Sequence, residues 1–456
     1  MTSKGMMKMN PRALLALFVG KSSSFVLKNF FKKGTTLPGR LALKIDPHIL
    51  KSLSKNTRTI IITGTNGKTT TASLVYHMFQ NASYTTFSNE AGANMITGVT
   101  TSFIENYHLF NSKEKIAVME VDEANVPFVC QNITPEVVCI TNLFRDQLDR
   151  YGEVYTTLEK ILSGVRLHDS TTLVLNGDEP MLGSLKEPNK KIFFGFNVSN
   201  NNEKIESNTD AKNCINCKTP YRYKFITYNH LGNYECPNCG YRRPDLTYHV
   251  DEIKEMLPSH STVVINGHEV NISQSGMYNI YNALCAYSIA DVFHIDESIV
   301  EKTISKQESR FGRQEMVKLG DKEMMIFLVK NPAGFNQTID TIALDNGEFT
   351  CIFLLNDNLA DGTDISWIYD VHLEKLASLN IRQYLIGGLR AYDMAIRLDV
   401  ATKQRDILNV YEDYDSLTQA ALNAPTKKIY ATLTYTAMLS YRKYLQEKGY
   451  IKDYWK

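Results

Sequence analysis

Two groups of residues in this 456-residue chain have the types and spacing that chemistry requires. The first is Gly64-Thr65-Asn66-Gly67-Lys68-Thr69-Thr70. Glycines let backbone N–H groups turn onto a polyphosphate. The lysine then reaches the β- and γ-phosphates, and Thr69 offers its hydroxyl to Mg²⁺. The loop departs from the usual P-loop spacing: Ile62 stands where the first glycine belongs, and Gly64 comes two places later. The second group is Cys214, Cys217, Cys236 and Cys239, two C-x-x-C pairs with 18 residues between them. Four thiolates on two tight turns suit tetrahedral Zn²⁺, as in a zinc ribbon. With every coordination position filled by protein, such a metal is structural. Its binding supplies about 10–16 kcal/mol of folding free energy to an insert with little core of its own.

The elements around these residues alternate in type. Thr59–Ile62 is apolar and β-prone, and a helical pattern, 72–80, follows the glycine loop, so the phosphates meet a helix N-terminus. Ile116–Met119 reads as a buried strand ending in Glu120-Val121-Asp122-Glu123. A carboxylate at the carboxyl end of a strand downstream of a phosphate loop is placed to hold Mg²⁺, and Glu120 directly follows the apolar run. Further strands are expected at 137–142, 172–175 and 192–195. Strands alternating with helices imply an α/β fold with a mostly parallel, doubly wound sheet. Such sheets bind ligands at the carboxyl ends of their strands, where the glycine loop, Glu120, Asn142 and Asp178 fall. Residues 199–212 read as an exposed connector, and 263–265 with 270–272 as a hairpin-like pair. Asn279 and Asn282, three apart on a helix, share one face and could read an adenine edge. The segment 311–315 reads as an interdomain joint. From Met316 a second α/β unit begins, with strands expected at 325–329, 350–355, 384–388 and 428–431. Asp357, Asp361 and Asp364 follow one of these strands. They fail the EF-hand pattern, because Leu359 occupies a ligand position and no glutamate closes the loop.

Bulk properties set bounds. The length implies two or three domains. A net charge of +1 gives no global reason to expect nucleic acid. Cys130, Cys139, Cys285 and Cys351 lie singly in apolar surroundings and read as buried thiols of a reducing, cytoplasmic setting. No run approaches the roughly 20 apolar residues of a membrane helix. The first residues are peculiar: nine Lys or Arg and no Asp or Glu precede Asp46, with apolar runs at 14–19 and 25–31. Gly34–Gly39 is expected to break these N-terminal helices. A basic amphipathic helix of this kind could rest on the inner face of an anionic membrane.

In this order the motifs resemble the Mur ligase family, which joins amino acids to peptidoglycan precursors through an acyl phosphate. The matching residues are the GTNGKTTT loop, EVDE at 120–123, TNL at 141–143, DQLDRYGE at 146–153, NGDEP at 176–180, YNIYNAL at 278–284 and FGR at 311–313. The family's DYAHNP motif is reduced to Lys330-Asn331-Pro332, and residues 1–50 are too few for its UDP-binding domain. The four-cysteine insert, KNPAGFN at 330–336 and NDNLADGTDISWIYD at 356–370 narrow the likeness to the amidating branch of the family. The resemblance implies a basic helical segment, 1–50, and a central ATPase domain, 51–313, with a ribbon insert at about 210–245. It also implies a partner-binding C-terminal domain, 314–456. The implied reaction is ATP-dependent amidation of the α-carboxylate of D-glutamate in the lipid II stem peptide, giving D-isoglutamine. Ammonia would come from a GatD-type glutaminase subunit, since this sequence holds no glutaminase of its own. By the same resemblance Asn282 contacts adenine and Arg313 lies near the ribose or phosphates. Asp364 would orient a histidine of the partner's Cys–His pair, with Asp361 as the alternative.

Two other functions fit parts of the pattern. One is an amino-acid-adding ligase of the Mur or folylpolyglutamate synthase kind. The other is a P-loop NTPase with a nucleic-acid-binding ribbon, for which residues 213–243 supply five basic residues and five tyrosines. The ligase motifs outside the ribbon weigh against the latter, and no nucleic acid is expected.

Overall fold

The computed structural model describes residues 9–31, 36–89, 92–109, 113–144, 153–198, 212–307 and 313–451. Among these residues the strands form three sheets. The first contains β1 (Thr57–Thr63), β2 (Thr86–Ser88), β3 (Lys115–Glu120), β4 (Val137–Ile140), β5 (Thr172–Asn176) and β6 (Lys191–Phe196). The insert contributes an antiparallel hairpin, β7 (Arg222–Tyr228) and β8 (Leu231–Glu235). The first sheet is completed by β9 (Tyr248–Leu257), β10 (His260–Ile265) and β11 (His268–Ile272). Its order is β11-β10-β9-β6-β5-β4-β1-β3-β2, parallel except for the pairs at the β9–β11 edge.

β1 sits inside this sheet and shows why it forms. Ile60, Ile61 and Ile62 are all fully buried. Ile60 and Ile62 face one core with helices Lys68–Asn81 and Met277–Val292. Ile61 faces the other, with helices Ile96–Asn106 and Glu153–Val165. A strand covered on both faces tolerates a continuous β-branched run. The glycine loop follows at its carboxyl end.

The second unit is built the same way. Its strands are β12 (Arg313–Leu319), β13 (Lys322–Leu328), β14 (Phe349–Leu354), β15 (Ile381–Gly387), β16 (Leu408–Val410) and β17 (Lys428–Leu433). They run in the order β12-β13-β17-β14-β15-β16, parallel apart from the β12–β13 hairpin.

The structure refines the sequence expectation in three places. The break expected over Gly34–Gly39 is narrower: one helical stretch ends at Phe31, and Leu37-Pro38-Gly39 already opens helix Leu37–Ile45, with the proline in the first turn, where its missing N–H costs nothing, while Gly34 and Thr35 lie outside the described residues. The hairpin at 263–272 is the edge of a three-stranded antiparallel extension whose longest member, β9, was not anticipated. In the joint, Gln314 is buried with φ +59°, and its amide binds the backbone of Ser275 and the hydroxyl of Tyr278.

Candidate active site

The glycine loop closes on its neighbours by specific contacts. Gly64 has φ +122°, and a Cβ there would meet Thr141 Oγ1 at 2.4 Å. Gly67 has φ +86° and caps helix Lys68–Asn81. Both are left-handed conformations that favour glycine. The N–H of Asn66 donates to Asn142 Oδ1 at 2.9 Å, and the Asn142 amide returns a bond to the Asn66 carbonyl at 3.0 Å. Thr141 adds a third bond to that carbonyl at 2.7 Å. Asn142 therefore shapes the loop from the end of the neighbouring strand.

Lys68 turns back over the loop. Its ammonium donates to the carbonyls of Gly64 and Thr65 and pairs with Glu123 at 2.8 Å. The two side chains are 14% and 16% exposed. Glu123 was not singled out in the sequence. Which acid of 120–123 meets the lysine depends on the turn after β3, which residue types alone do not fix. Glu120 ends β3 buried, tied to the Asn94 amide at 3.4 Å, with its backbone fastened at both ends by Asn89.

A cleft of about 460 Å³ opens over these groups. Asn66, Lys68, Thr69, Thr70, Glu120, Asn142 and Asn282 line one side. Lys330, Asn331, Gly334 and Gln337 of the second unit line the other. Asn331 caps helix Pro332–Ile342, its Oδ1 accepting the Gly334 N–H at 2.8 Å. Its amide nitrogen is buried without a hydrogen-bond partner. The cleft thus has a phosphate loop on one wall and a second helix N-terminus on the other, both favourable to anions. The Asn-Pro pair after a strand is the local signal for this second cap.

Asn279 and Asn282 do share a face, and both are buried. A Cβ on Gly67 would meet Asn282 Oδ1 at 2.1 Å, and that oxygen also faces Thr71 Oγ1 at 3.5 Å. Asn282 therefore packs directly behind the loop. Arg313 opens β12, and its side chain lies outside the described residues, as do Phe311, Gly312 and the segment 145–152.

Asp178 departs from expectation. It ends the turn after β5 fully buried and does not line the cleft. It binds Arg243 at 2.8 Å, the Tyr281 hydroxyl at 2.6 Å and the Phe196 N–H at 2.8 Å. Burial pushes its carboxyl above the ordinary range, against the pull of Arg243. Next to it, Glu179 meets His230 at 2.5 Å. These two acids fasten the insert to the sheet. In the insert, Cys214 and Cys239 sulfurs lie 3.5 Å apart and Cys217 and Cys236 sulfurs 3.4 Å apart. All four lie within 4.8 Å of one another. Lys218 and Gly240, each following a C-x-x-C pair, have positive φ, which closes the two turns around this point. The donor set fits one tetrahedral soft metal.

The three acids of the 356–364 loop separate clearly. Asp361 accepts the Thr436 N–H at 2.8 Å and the Thr436 hydroxyl, so it serves the first turn of helix Tyr435–Glu447. Asp357 faces Arg390 at 3.6 Å. Asp364 is exposed, away from the cleft, and accepts the nearby Ser366 N–H at 2.8 Å. The Ser366 N–H and hydroxyl hold its carboxyl below the ordinary range.

Comparison with known proteins decides the family. Residues 62–240 match the Mur ligase middle domain and 328–438 the MurT ligase C-terminal domain. The chain is 38% identical over 97% of its length, and 99% of the relative's, to lipid II isoglutaminyl synthase (glutamine-hydrolyzing) subunit MurT of Streptococcus pneumoniae. The chain belongs to the MurT family of Mur ligases. The Staphylococcus aureus MurT subunit is 33% identical over 90% of this chain and 95% of its own. Among solved structures, a pseudomurein peptide ligase type C from Methanothermus fervidus shares the fold. It matches with TM-score 0.65 and 20% identity, over 88% of this chain and 80% of its own. MurF from Acinetobacter baumannii matches with TM-score 0.66 and 15% identity, over 90% and 80%. The MurT-type C-terminal match runs from the last residue of β13 into helix Tyr435–Glu447, so it includes both Asn331 and Asp364.

Proposed function

We propose that the chain is the ATP-dependent synthetase subunit of a glutamine-hydrolysing lipid II isoglutaminyl synthase. The observation that carries this is the two-walled anion cleft in a chain that matches MurT subunits nearly end to end. The α-carboxylate of D-glutamate in the stem peptide is a poor electrophile. Transfer of the ATP γ-phosphoryl to a carboxylate oxygen gives an acyl phosphate and ADP. Ammonia then attacks the acyl carbon, and phosphate leaves as the amide forms.

In this reading Gly64 to Thr70 cradle the phosphates by backbone N–H groups. Lys68 exchanges its loop carbonyls and Glu123 for the β- and γ-phosphates. Mg²⁺, held by Thr69 and Glu120, supplies charge neutralisation on the transferring phosphoryl. Asn282 and Arg313 serve the nucleotide side. The helix N-terminus capped by Asn331 is placed to hold the acceptor's anionic groups. Cys214, Cys217, Cys236 and Cys239 bind structural Zn²⁺.

The ammonia source is a GatD-type glutaminase docked on the C-terminal unit. Support comes from an exposed apolar stripe on helix Ala391–Thr402, where Tyr392, Ile396 and Val400 recur every fourth residue. Leu389, just before this helix, and Leu359, in the Asp364 loop, are also exposed, Leu359 by 92%. The stripe and the loop are joined, because the Leu389 N–H donates to Asn356 Oδ1 at 2.9 Å. Asp364 then orients the partner's histidine. Because the substrate is lipid-linked, the complex works at the cytoplasmic face of the membrane. Among the described residues, no helix is long and apolar enough to cross it.

The test is an amidation assay with lipid II, ATP and Mg²⁺, read by mass spectrometry. Conversion of one carboxylate to an amide is expected with ammonium, and with glutamine only when the glutaminase is added. Incorporation of a free amino acid instead would overturn the assignment.

A further inference from the structure

The N-terminal helix is built inside out. Helix Pro11–Val26 turns its small residues inward: Ala13, Ala16, Gly20 and Ser24 are buried, with Leu17 the one large side chain among them. Its other large apolar residues, apart from the half-buried Val19, point away from the protein. Leu14, Leu15, Phe18, Phe25 and Val26 are all exposed, Phe18 by 69% and Phe25 by 66%. At 3.6 residues per turn, 14, 18 and 25 fall in one strip, flanked by 15 and 26. Rolling the helix over to bury this strip would break the close packing of Gly20. Gly20 is pressed so closely on Ile104 that a Cβ there would meet its Cδ1 at 2.8 Å.

The surrounding charge is of one sign. Nine Lys or Arg and no acid occur before Asp46. Among the described residues the acid that meets this segment is Glu105, which pairs with Lys28 at 2.9 Å. On helix Leu37–Ile45, Arg40 and Lys44 are exposed one turn apart, and Leu37 is exposed one turn before them. A second copy of the chain would bring like charges together on this face. A bilayer rich in anionic lipid matches both features at once. Among the described residues no helix is long and apolar enough to span, and Arg12 and Lys21 lie along this one.

We propose that helices Pro11–Val26 and Leu37–Ile45 form a membrane-surface anchor, with Leu14, Phe18 and Phe25 inserted among the acyl chains of an anionic leaflet. This deepens the lipid II reading and rests on it for its purpose. The position agrees with that purpose. Gly39 packs against Thr97 and Thr101 in the helix Ile96–Asn106, and Asn94, just before that helix, lines the cleft and bonds Glu120. The anchor thus packs on the helix whose N-terminal approach lines the cleft, a position that suits a lipid-held substrate.

The test uses the full chain with its glutaminase subunit and vesicles of phosphatidylcholine with or without phosphatidylglycerol. The complex is expected to co-sediment with the anionic vesicles. Phe18→Ser with Phe25→Ser, and separately Arg40→Gln with Lys44→Gln, should weaken that binding about tenfold or more. Amidation of detergent-solubilised lipid II should stay unchanged in both variants, which also reports that they fold, while amidation of vesicle-embedded lipid II should fall. Binding equal to wild type in the Phe18/Phe25 variant, or no preference for anionic vesicles, overturns the proposal. So does a dimer, seen by light scattering, that this variant dissociates. If the wild type bound vesicles but failed to amidate lipid II in detergent, the enzymatic reading would fall and the anchor would stand.

Discussion

Lys68 and Asp364 are the two charged side chains on which the proposed reaction depends, and their surroundings differ. Lys68 is mostly buried, held by two loop carbonyls and Glu123, at a loop whose own carbonyl is bound by two residues from the next strand. Asp364 stands in solvent, bonded two residues along its own loop, in a loop whose Leu359 is exposed. The first arrangement is complete within one chain. The second has an acid oriented by Ser366, and among the described residues no histidine or cysteine bonds it. The difference teaches where a reaction is divided: the half-site that lacks its chemistry is the one that exposes its contacts.

The sharpest way to break this comparison is Lys68→Ala. Removing a cation from a transferring phosphoryl costs on the order of 10³–10⁵ in rate. Amidation should fall by that amount with ammonium and with glutamine alike, while glutamine hydrolysis by the partner persists. A variant that lost only the glutamine reaction would show that Lys68 does not belong to the ATP half. The reciprocal variant is Asp364→Asn. An amide in place of a triad carboxylate selects the wrong imidazole tautomer, at a cost of up to about 10⁴-fold. Glutamine-dependent amidation should drop steeply and ammonium-dependent amidation hold. Because Ser366 keeps the Asp364 carboxyl below its ordinary range, it stays ionised throughout the pH range in which an imidazole titrates. The acid limb of the glutamine reaction therefore reports the partner's histidine. Asp361→Asn should instead lower thermal stability without separating the two ammonia sources, because Asp361 serves a helix end.

How much of this was legible beforehand follows the same division. The phosphate loop is a local object: seven consecutive residues after an apolar strand shape it, the mostly parallel sheet was legible from the alternation of elements, and Lys68 and Thr69 do line the cleft. The four cysteines are likewise paired by short spacing, and their sulfurs converge. What failed depends on distant chain. Asp178 sits at a strand end, where the sheet rule puts ligands, but Arg243, 65 residues on, occupies it. Asp361 and Asp364 look alike in sequence, and only the docking of Thr436 on Asp361 tells them apart. The pairing of Glu123 with Lys68 depends on a turn that brings one acid of three around. The outward-facing aromatic residues of the first helix needed Gly20 and Ile104 in contact before their direction was fixed.

The insert sharpens the comparison from a third side. Asp178 and Glu179 tie it to the strand that leads away from β4, beside the phosphate loop rather than beside Asp364. Cys236→Ser, or removal of zinc by a chelator, should lower the midpoint of thermal unfolding. It should reduce amidation from both ammonia sources equally, because the damage passes through the ATP half. A loss confined to the glutamine reaction would place the ribbon at the partner interface.

The smallest effect tests what Glu123 does. If it only parks Lys68 between turnovers, Glu123→Gln removes a competitor of ATP. A partly exposed ion pair is worth about 0.2–1 kcal/mol, so the KM for ATP should fall by at most about fivefold with kcat unchanged. If Glu123 instead acts on the metal or the transferring phosphoryl, kcat with ammonium falls and the KM for ATP does not improve. The two outcomes move different constants: the first lowers KM alone, the second lowers kcat. One titration of ATP at saturating ammonium therefore decides whether the completeness of the Lys68 site is a resting arrangement or part of the chemistry.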